Sequence, residues 1–552
     1  MSMRGLRYVV AALVVAGTVV GLAQTGQVPS QHAAPPAIDG KDLLNGLASP
    51  ARWLVHSGNY ASTRHSPLTQ ITPDNVARLA PAWSFEAGLG FGRQAKFEAT
   101  PIAIDGTLYL TGLYNHAWAI DGRSGAVIWH YERPLPNALR VCCGMANRGF
   151  AVHGGRLFMT TLDAHVIALD LKTGKPVWDV PLIDYRMGYS STAAPLVVKD
   201  KLIVGMAGGE FATRGFLDAY SLSDGKRLWR FNTIPAPGEP GGDTWPAGHF
   251  ERGGGATWIT GSYDPELGLV YWGVGNPNPD FFGGNRKGDN LYTASVVALD
   301  PDTGKLRWHF QYTPHDEHDW DSNQIQVLAD LTIGGKPRKT LVTANRNGFF
   351  YVLDRTNGAF IQAKPYVTTT WAKEVDAKGR PIELPNQRPT AEGARTCPDL
   401  AGGSSFTSPS FDPARRLFFV SARETCQMYA SRPPGKYELG DLMIGGSTFD
   451  RGGTGALRAI DPVTLDRKWE VPYSGPSYSG VLSTASGLVF AGDNGSTLMA
   501  VKADTGQKLW SHRLSGAFWG APSTVMVDTR QLLLMPAGQT LTAFALAPPT
   551  TP

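Results

Sequence analysis

A segment recurring eight times, 64 glycines and 40 prolines punctuating 552 residues, and no apolar run with helical spacing beyond residue 23 together predict an all-β chain. Copies spaced by about 40 to 50 residues make the expected architecture an eight-bladed β-propeller, with four-stranded blades and long loops on one face. The fullest copy is Ala119-Ile120-Asp121-Gly122-Arg123-Ser124-Gly125-Ala126-Val127-Ile128-Trp129. It returns from Ala168 to Trp178, Ala219 to Trp229, Ala298 to Trp308 and Ala500 to Trp510. Weaker copies run from Val352 to Ile361 and Ala459 to Trp469, and Pro81-Ala82-Trp83 completes the set. Each reads as a strand, an Asp-x-x-Thr-Gly turn and a second strand ending in tryptophan. The turn needs glycine for positive φ, and the tryptophan offers a neighbouring blade an aromatic face. Alternation in Leu157-Phe158-Met159-Thr160-Thr161 and Leu417-Phe418-Phe419-Val420 supports the strands.

The chain opens with Arg4 and Arg7 before an apolar run from Val9 to Ala23 that ends in Gly21-Leu22-Ala23. A membrane span needs about 20 apolar residues, so residues 1–23 read as a cleaved signal peptide, an uncleaved anchor being the lesser alternative. A periplasmic location follows. Residues 24–50 read as a flexible leader, 51–547 as the propeller and 548–552 as a tail. Two intervals exceed one blade, Trp229 to Trp308 and Ile361 to Trp469. Gly273-Val274-Gly275-Asn276-Pro277 and the polar run Thr313 to Asp321 lie in or near them. Long loops on one face of a rigid scaffold are where binding sites are built.

Two of the four cysteines are adjacent, in Arg140-Val141-Cys142-Cys143-Gly144. Neighbouring Cα atoms lie about 3.8 Å apart (about 2.9 Å if cis), against about 4.4–6.8 Å in ordinary disulfides, so a bond here is strained. Such strain concentrates at ligand sites. Two reduced thiols or half of a metal site are the equal alternative on local sequence. An even count in an exported chain reads as two bridges, Cys142 to Cys143 and a structural Cys397 to Cys426.

Taken together these residues resemble the pyrroloquinoline quinone (PQQ)-dependent alcohol dehydrogenases, the quinoproteins that include methanol and ethanol dehydrogenases. The resemblance runs from Trp53–Gly58 through Arg64-His65-Ser66-Pro67-Leu68 and Ile71-Thr72-Pro73-Asp74-Asn75-Val76 to Ala543-Phe544-Ala545-Leu546. Its most specific motif is the cysteine pair followed by Asn147-Arg148-Gly149. It implies an eight-bladed propeller, in agreement with the repeats. It also implies that a Cys142–Cys143 disulfide covers one face of PQQ and Trp258 stacks on the other, although Trp258 by itself reads as core. Glu98, Arg148, Thr192, Ala207, Gly208 and Gly209 match positions around the cofactor. Ala207 replaces a common serine but leaves backbone donors. Glu210 and Asn276 match the ligands of a hard cation, which oxygen donors suit. Asp319 matches the catalytic base and Arg346 its partner at the quinone oxygen. The implied reaction is hydride transfer from an alcohol, with Asp319 taking the hydroxyl proton and the cation acting as a Lewis acid.

Asp321 lies two residues after the base, and in an extended segment both carboxylates would face the cation. An acid at this place resembles the lanthanide-dependent branch, so a lanthanide ion is favoured slightly over Ca²⁺. Ser405-Phe406 stands where Asn-Trp is common, Tyr478 where tryptophan is common, and His318 where an aromatic precedes the base. His315 and His318 read as hydrogen-bonding residues rather than metal ligands.

No Cys-x-x-Cys-His occurs, so electrons are expected to pass to a separate acceptor, a c-type cytochrome. No dinucleotide or phosphate-loop motif appears, and the formal net charge of +4 becomes smaller still once Arg4 and Arg7 are removed, so no nucleic-acid partner is expected. The expected substrate is a small alcohol, and an oligomer is open. The rivals are a quinoprotein for sugars or polymeric alcohols and a non-catalytic propeller scaffold resembling outer-membrane assembly lipoproteins.

Overall fold

The computed structural model describes residues 37–87 and 96–548, within one compact unit, Pro35–Pro552. The expected signal peptide, leader residues 24–36 and tail residues 549–552 lie outside the described residues. Among those described, no helix is long and apolar enough to cross a membrane.

Residues 37–50 do not form the loose leader expected from the sequence. Gly40–Asn45 is a helix, α1, whose start is capped by Asp39, the side chain accepting from Lys41 N and Asp42 N at 2.8 and 3.0 Å. Asp42 Oδ2 accepts from Asp39 N in return at 3.0 Å, which satisfies donors that a helix start leaves open. Ile38 and Leu43 are buried against the blades, and Arg52 holds Asp42 at 2.7 Å. Six residues are too few for apolar periodicity to register in the sequence.

The described strands form nine sheets, eight of four or five strands and one two-stranded hairpin, Ala372–Val375 with Pro381–Glu383. Each repeat is an antiparallel pair, as in His116–Asp121 with Val127–Glu132, whose register shifts between Ala119 and Ile120. The same shift recurs at Ala168/Leu169, Ala219/Tyr220, Ala298/Leu299 and Ala500/Val501. Such a bulge bends and twists a strand, so each blade inherits the same twist.

The tryptophan ending six of the repeats packs on the turn glycine of the next. A Cβ on Gly174 would lie 2.6 Å from Trp129, one on Gly304 2.5 Å from Trp229, and one on Gly506 2.7 Å from Trp469. The indoles also donate across the joint, Trp129 to Leu171 O at 3.2 Å and Trp229 to Pro301 O at 3.0 Å. Trp510 donates to Leu79 O at 2.9 Å, and Leu79–Glu86 pairs with Thr540–Leu546, so an early strand and the last described strand close the ring.

The weak repeats explain each other. Val352 pairs with Gln362 as Ala298 pairs with Trp308, so Gln362, not Ile361, holds the tryptophan position. Its Nε2 donates to Pro462 O at 3.2 Å and Val463 O at 2.9 Å, replacing the indole bond. With no indole to clear, the next turn carries Leu465 at φ +61° instead of glycine.

Gly304 has φ +69° and its added Cβ would meet Trp229, whereas Gly154 at φ +58° has nothing within 4 Å. Gly304→Ala should therefore cost about 2 kcal/mol or more, and Gly154→Ala only about 1 kcal/mol of backbone strain. Urea unfolding of both variants checks this, and equal losses would show that the Trp–Gly joint contributes nothing.

Candidate active site

A cavity of about 1230 Å³ gathers the residues singled out in the sequence: Glu98, Cys142, Cys143, Arg148, Thr192, Ala207, Gly208, Glu210, Trp258, Asp319, Asp321 and Arg346 all line it. Gly209 and Asn276 are buried and are not among its lining residues. Both long intervals contribute, the first through Trp258 and the second through Leu400, Phe406 and Arg451.

Cys142 and Cys143 are bonded, with Cα atoms 3.8 Å apart and Cys143 at φ +50°. The second bridge, Cys397–Cys426, is also formed. Cys143 Sγ lies 4.0 Å from Glu210 Oε1, but a sulfur held in a disulfide offers no thiolate to a metal. Trp258 is half-buried, and its indole N–H donates to Asp321 Oδ2 at 3.1 Å, so it belongs to the site rather than to the core alone.

Arg148 is buried rather than a solvated surface charge. Its Nη2 meets Glu98 Oε2 at 2.6 Å, Nη1 donates to Thr192 Oγ1 at 2.6 Å, and the guanidinium lies 4.8 Å from the Trp258 ring. Glu98 thus faces a cation and orients it. Burial pushes the Glu98 carboxyl up and the Arg148 guanidinium down, and each opposes the other's shift. Ala207 departs from expectation, because its N–H donates to Ser190 O at 2.8 Å and is not left for a ligand. Gly208 is required by packing: at φ +110°, a Cβ would lie 2.1 Å from Gly188 O.

Arg346 organises the opposite chemistry. Its Nη1 donates to Asp321 Oδ2 at 2.7 Å and Asp319 O at 2.9 Å, and lies 3.6 Å from Asp319 Oδ1. Asp321 Oδ1 accepts from Asn276 N at 3.0 Å. The segment is not extended, since Asp319 has φ +60°, so alternation is not what brings the two carboxylates together. Arg346 does.

A carboxylate not anticipated from the sequence completes the cluster. Asp280 is buried and accepts from Asn276 Nδ2 at 2.9 Å, which leaves the Asn276 amide oxygen for another partner. Its place four residues after Asn276, in Asn276-Pro277-Asn278-Pro279-Asp280, was the available signal. Burial raises Glu210 to about 7 and holds Asp280 and Asp319 well above the usual carboxylate range, reinforced by their mutual repulsion and by Asp321. His318 stacks on Trp320 at 4.2 Å and shares a hydrogen bond with Gln387 O at 2.9 Å, and His315 Nδ1 lies 2.8 Å from Gly288 O. Both act as hydrogen-bonding residues.

The chemistry of these walls fits a flat, anionic cofactor with a hard cation. Arg148 Nε and Arg346 Nε are buried donors without a partner, which matches carboxylate or quinone oxygens. Buried carboxylates around a free amide oxygen match a calcium-like or lanthanide ion.

Cation binding needs ionised carboxylates, whereas burial holds them protonated. With Glu210 at about 7, affinity should fall about tenfold per pH unit per displaced proton below that pH. In the cation-free protein the sign reverses: Glu210 contributes stability below its ordinary 4.5 that is lost as pH rises through about 7. Calorimetric titration at pH 6 and 8 checks the first, and a pH-independent affinity would contradict it.

The family described as "PQQ: Glucose/ethanol/alcohol dehydrogenase, beta-propeller domain" matches residues 53–381. A second, "Outer membrane protein assembly factor BamB", matches residues 443–547. The chain is 37% identical to quinoprotein alcohol dehydrogenase PedH of Pseudomonas putida, over 92% of this chain and 89% of that protein. It is 36% identical to a 1-butanol dehydrogenase (cytochrome c) of Thauera butanivorans, over 89% and 75%. Among solved structures, a europium-containing methanol dehydrogenase superposes with a TM-score of 0.86 at 35% identity, covering 92% of this chain and 100% of that one.

Proposed function

The chain belongs to the family of PQQ-dependent alcohol dehydrogenases, and from that membership we propose how its own residues carry out alcohol oxidation with PQQ and Ca²⁺ or a lanthanide ion. The observation that carries the reading is the meeting of the Cys142–Cys143 disulfide, Trp258, the acid cluster and Arg346 in one cavity. A non-catalytic scaffold has no use for that conjunction.

The disulfide and Trp258 would hold the two faces of PQQ, with Arg148, positioned by Glu98 and Thr192, taking a carboxylate. Gly208 and Gly209 keep the neighbouring backbone close, and Ala207 contributes shape rather than a donor. Glu210, Asn276, Asp319 and Asp321 would hold the cation, with Asp280 behind them. When bound, PQQ supplies a two-electron acceptor and the cation a Lewis acid. Asp319 takes the alcohol proton on a carboxylate oxygen. Arg346 fixes that carboxylate beside Asp321 and opposes the rise that burial imposes on it. Its unpartnered Nε would stabilise developing charge at the quinone oxygen.

Three carboxylates at the ion, with Asp280 behind them, favour a trivalent ion, since added anionic oxygens raise affinity for higher charge. The europium-containing relative supports a lanthanide over Ca²⁺. We read the eight larger sheets as eight blades spanning 51–547, preceded by a signal peptide for the periplasm. The absence of Cys-x-x-Cys-His and the cytochrome-linked relative support a separate c-type cytochrome as acceptor.

Asp319→Asn should lower dye-linked alcohol oxidation by about 10² to 10⁴-fold with PQQ still bound, as loss of a general base does. Turnover at the wild-type rate would remove Asp319 from that role. Asp321→Ala should cost lanthanide-supported activity more than calcium-supported activity. An equal loss with both ions would leave Asp321 as a partner of Arg346 only.

A further inference from the structure

Beside Arg346, a second polar cluster reaches the cavity, and no step above uses it. Asp399 is fully buried, and its Oδ2 accepts from Arg451 Nε and, at 3.4 Å, from Arg423 Nη2. Two guanidinium groups on one carboxylate leave one positive charge in excess. Arg423 is 1% exposed with its Nε unpartnered, whereas the Arg451 side chain is 40% exposed, so the excess charge is open to a ligand from the cavity side. Arg423 lies 4.3 Å from the Tyr478 ring, and Arg451 Nη2 donates to the Tyr478 hydroxyl at 3.1 Å. Only Arg451 and Tyr478 of this cluster line the cavity. Each arrives with a free donor: Arg451 Nη1 and the phenolic O–H meet no acceptor among the described residues. Phe406 and Trp519 both stack with Tyr478, at 5.9 and 4.6 Å between ring centroids, and fix its ring.

Resting on the alcohol dehydrogenase reading, we propose that Arg451 and Tyr478, backed by Arg423 and Asp399, form a carboxylate-binding subsite in the cavity. Two adjacent donors with one excess positive charge are what a carboxylate satisfies and a neutral alcohol does not. Burial alone would push the Tyr478 phenol up, but Arg423 and Arg451 outweigh it and hold it below its ordinary value, which strengthens it as a donor. The carboxylate comes either from PQQ itself or from a substrate that carries an acid as well as the alcohol.

Tyr478→Phe and Arg451→Gln separate these sources. PQQ affinity is measured by tryptophan fluorescence quenching of the protein with its cation. Substrate preference is measured as kcat/KM for 6-hydroxyhexanoate against 1-hexanol. A cofactor carboxylate predicts PQQ affinity weakened about tenfold with the preference unchanged. A substrate carboxylate predicts PQQ affinity unchanged and the hydroxy acid's relative kcat/KM reduced about tenfold. If neither quantity moves in either variant, the subsite is wrong. Tyr478→Phe removes one hydroxyl and tests the proposal even if Arg451→Gln unfolds. A wild-type protein that binds no PQQ would instead overturn the parent reading.

Discussion

The joint between one repeat's tryptophan and the next repeat's glycine is the constraint on which everything else rests. A flat indole against a backbone with no Cβ sets how closely and at what angle successive sheets meet. Repetition of that joint, with the same bulge in each strand pair, turns separate sheets into a ring. Trp510 on Leu79 carries the joint across the seam between the chain's two ends. Where the indole is replaced by Gln362, the glycine is replaced too, so the constraint belongs to the pair.

A ring so fixed can bear an interior that opposes folding. Glu210, Asp280, Asp319 and Asp321 are held together in poor solvent contact, with Arg346 opposing only part of their charge. Left alone such a cluster favours protonation, which is why Glu210, Asp280 and Asp319 stand above the usual carboxylate range. A multivalent cation relieves the same repulsion. The cluster is therefore explained by its ligand and not by stability. Arg148 with Glu98, and Arg451 with Arg423 on Asp399, show the same economy with the sign reversed: each cation is oriented by an internal acid while a donor remains free.

The sequence alone determined the strand repeat, the turn glycines, the two disulfides and many of the residues that line the cavity. These are legible because a period of strands and turns is written in local order, and because adjacent cysteines followed by Asn147-Arg148-Gly149 form a specific motif. Tertiary structure decided what depends on approach between distant segments. It packed residues 37–50, moved the end of one repeat from Ile361 to Gln362, and tied up the Ala207 N–H on Ser190. It brought Asp319 and Asp321 together through Arg346 rather than through strand alternation, and it added Asp280 and the Asp399 cluster. The physical reason is common to all of these. A hydrogen bond or a buried charge is set by the distance between groups far apart in the chain, and that distance exists only once the ring has closed.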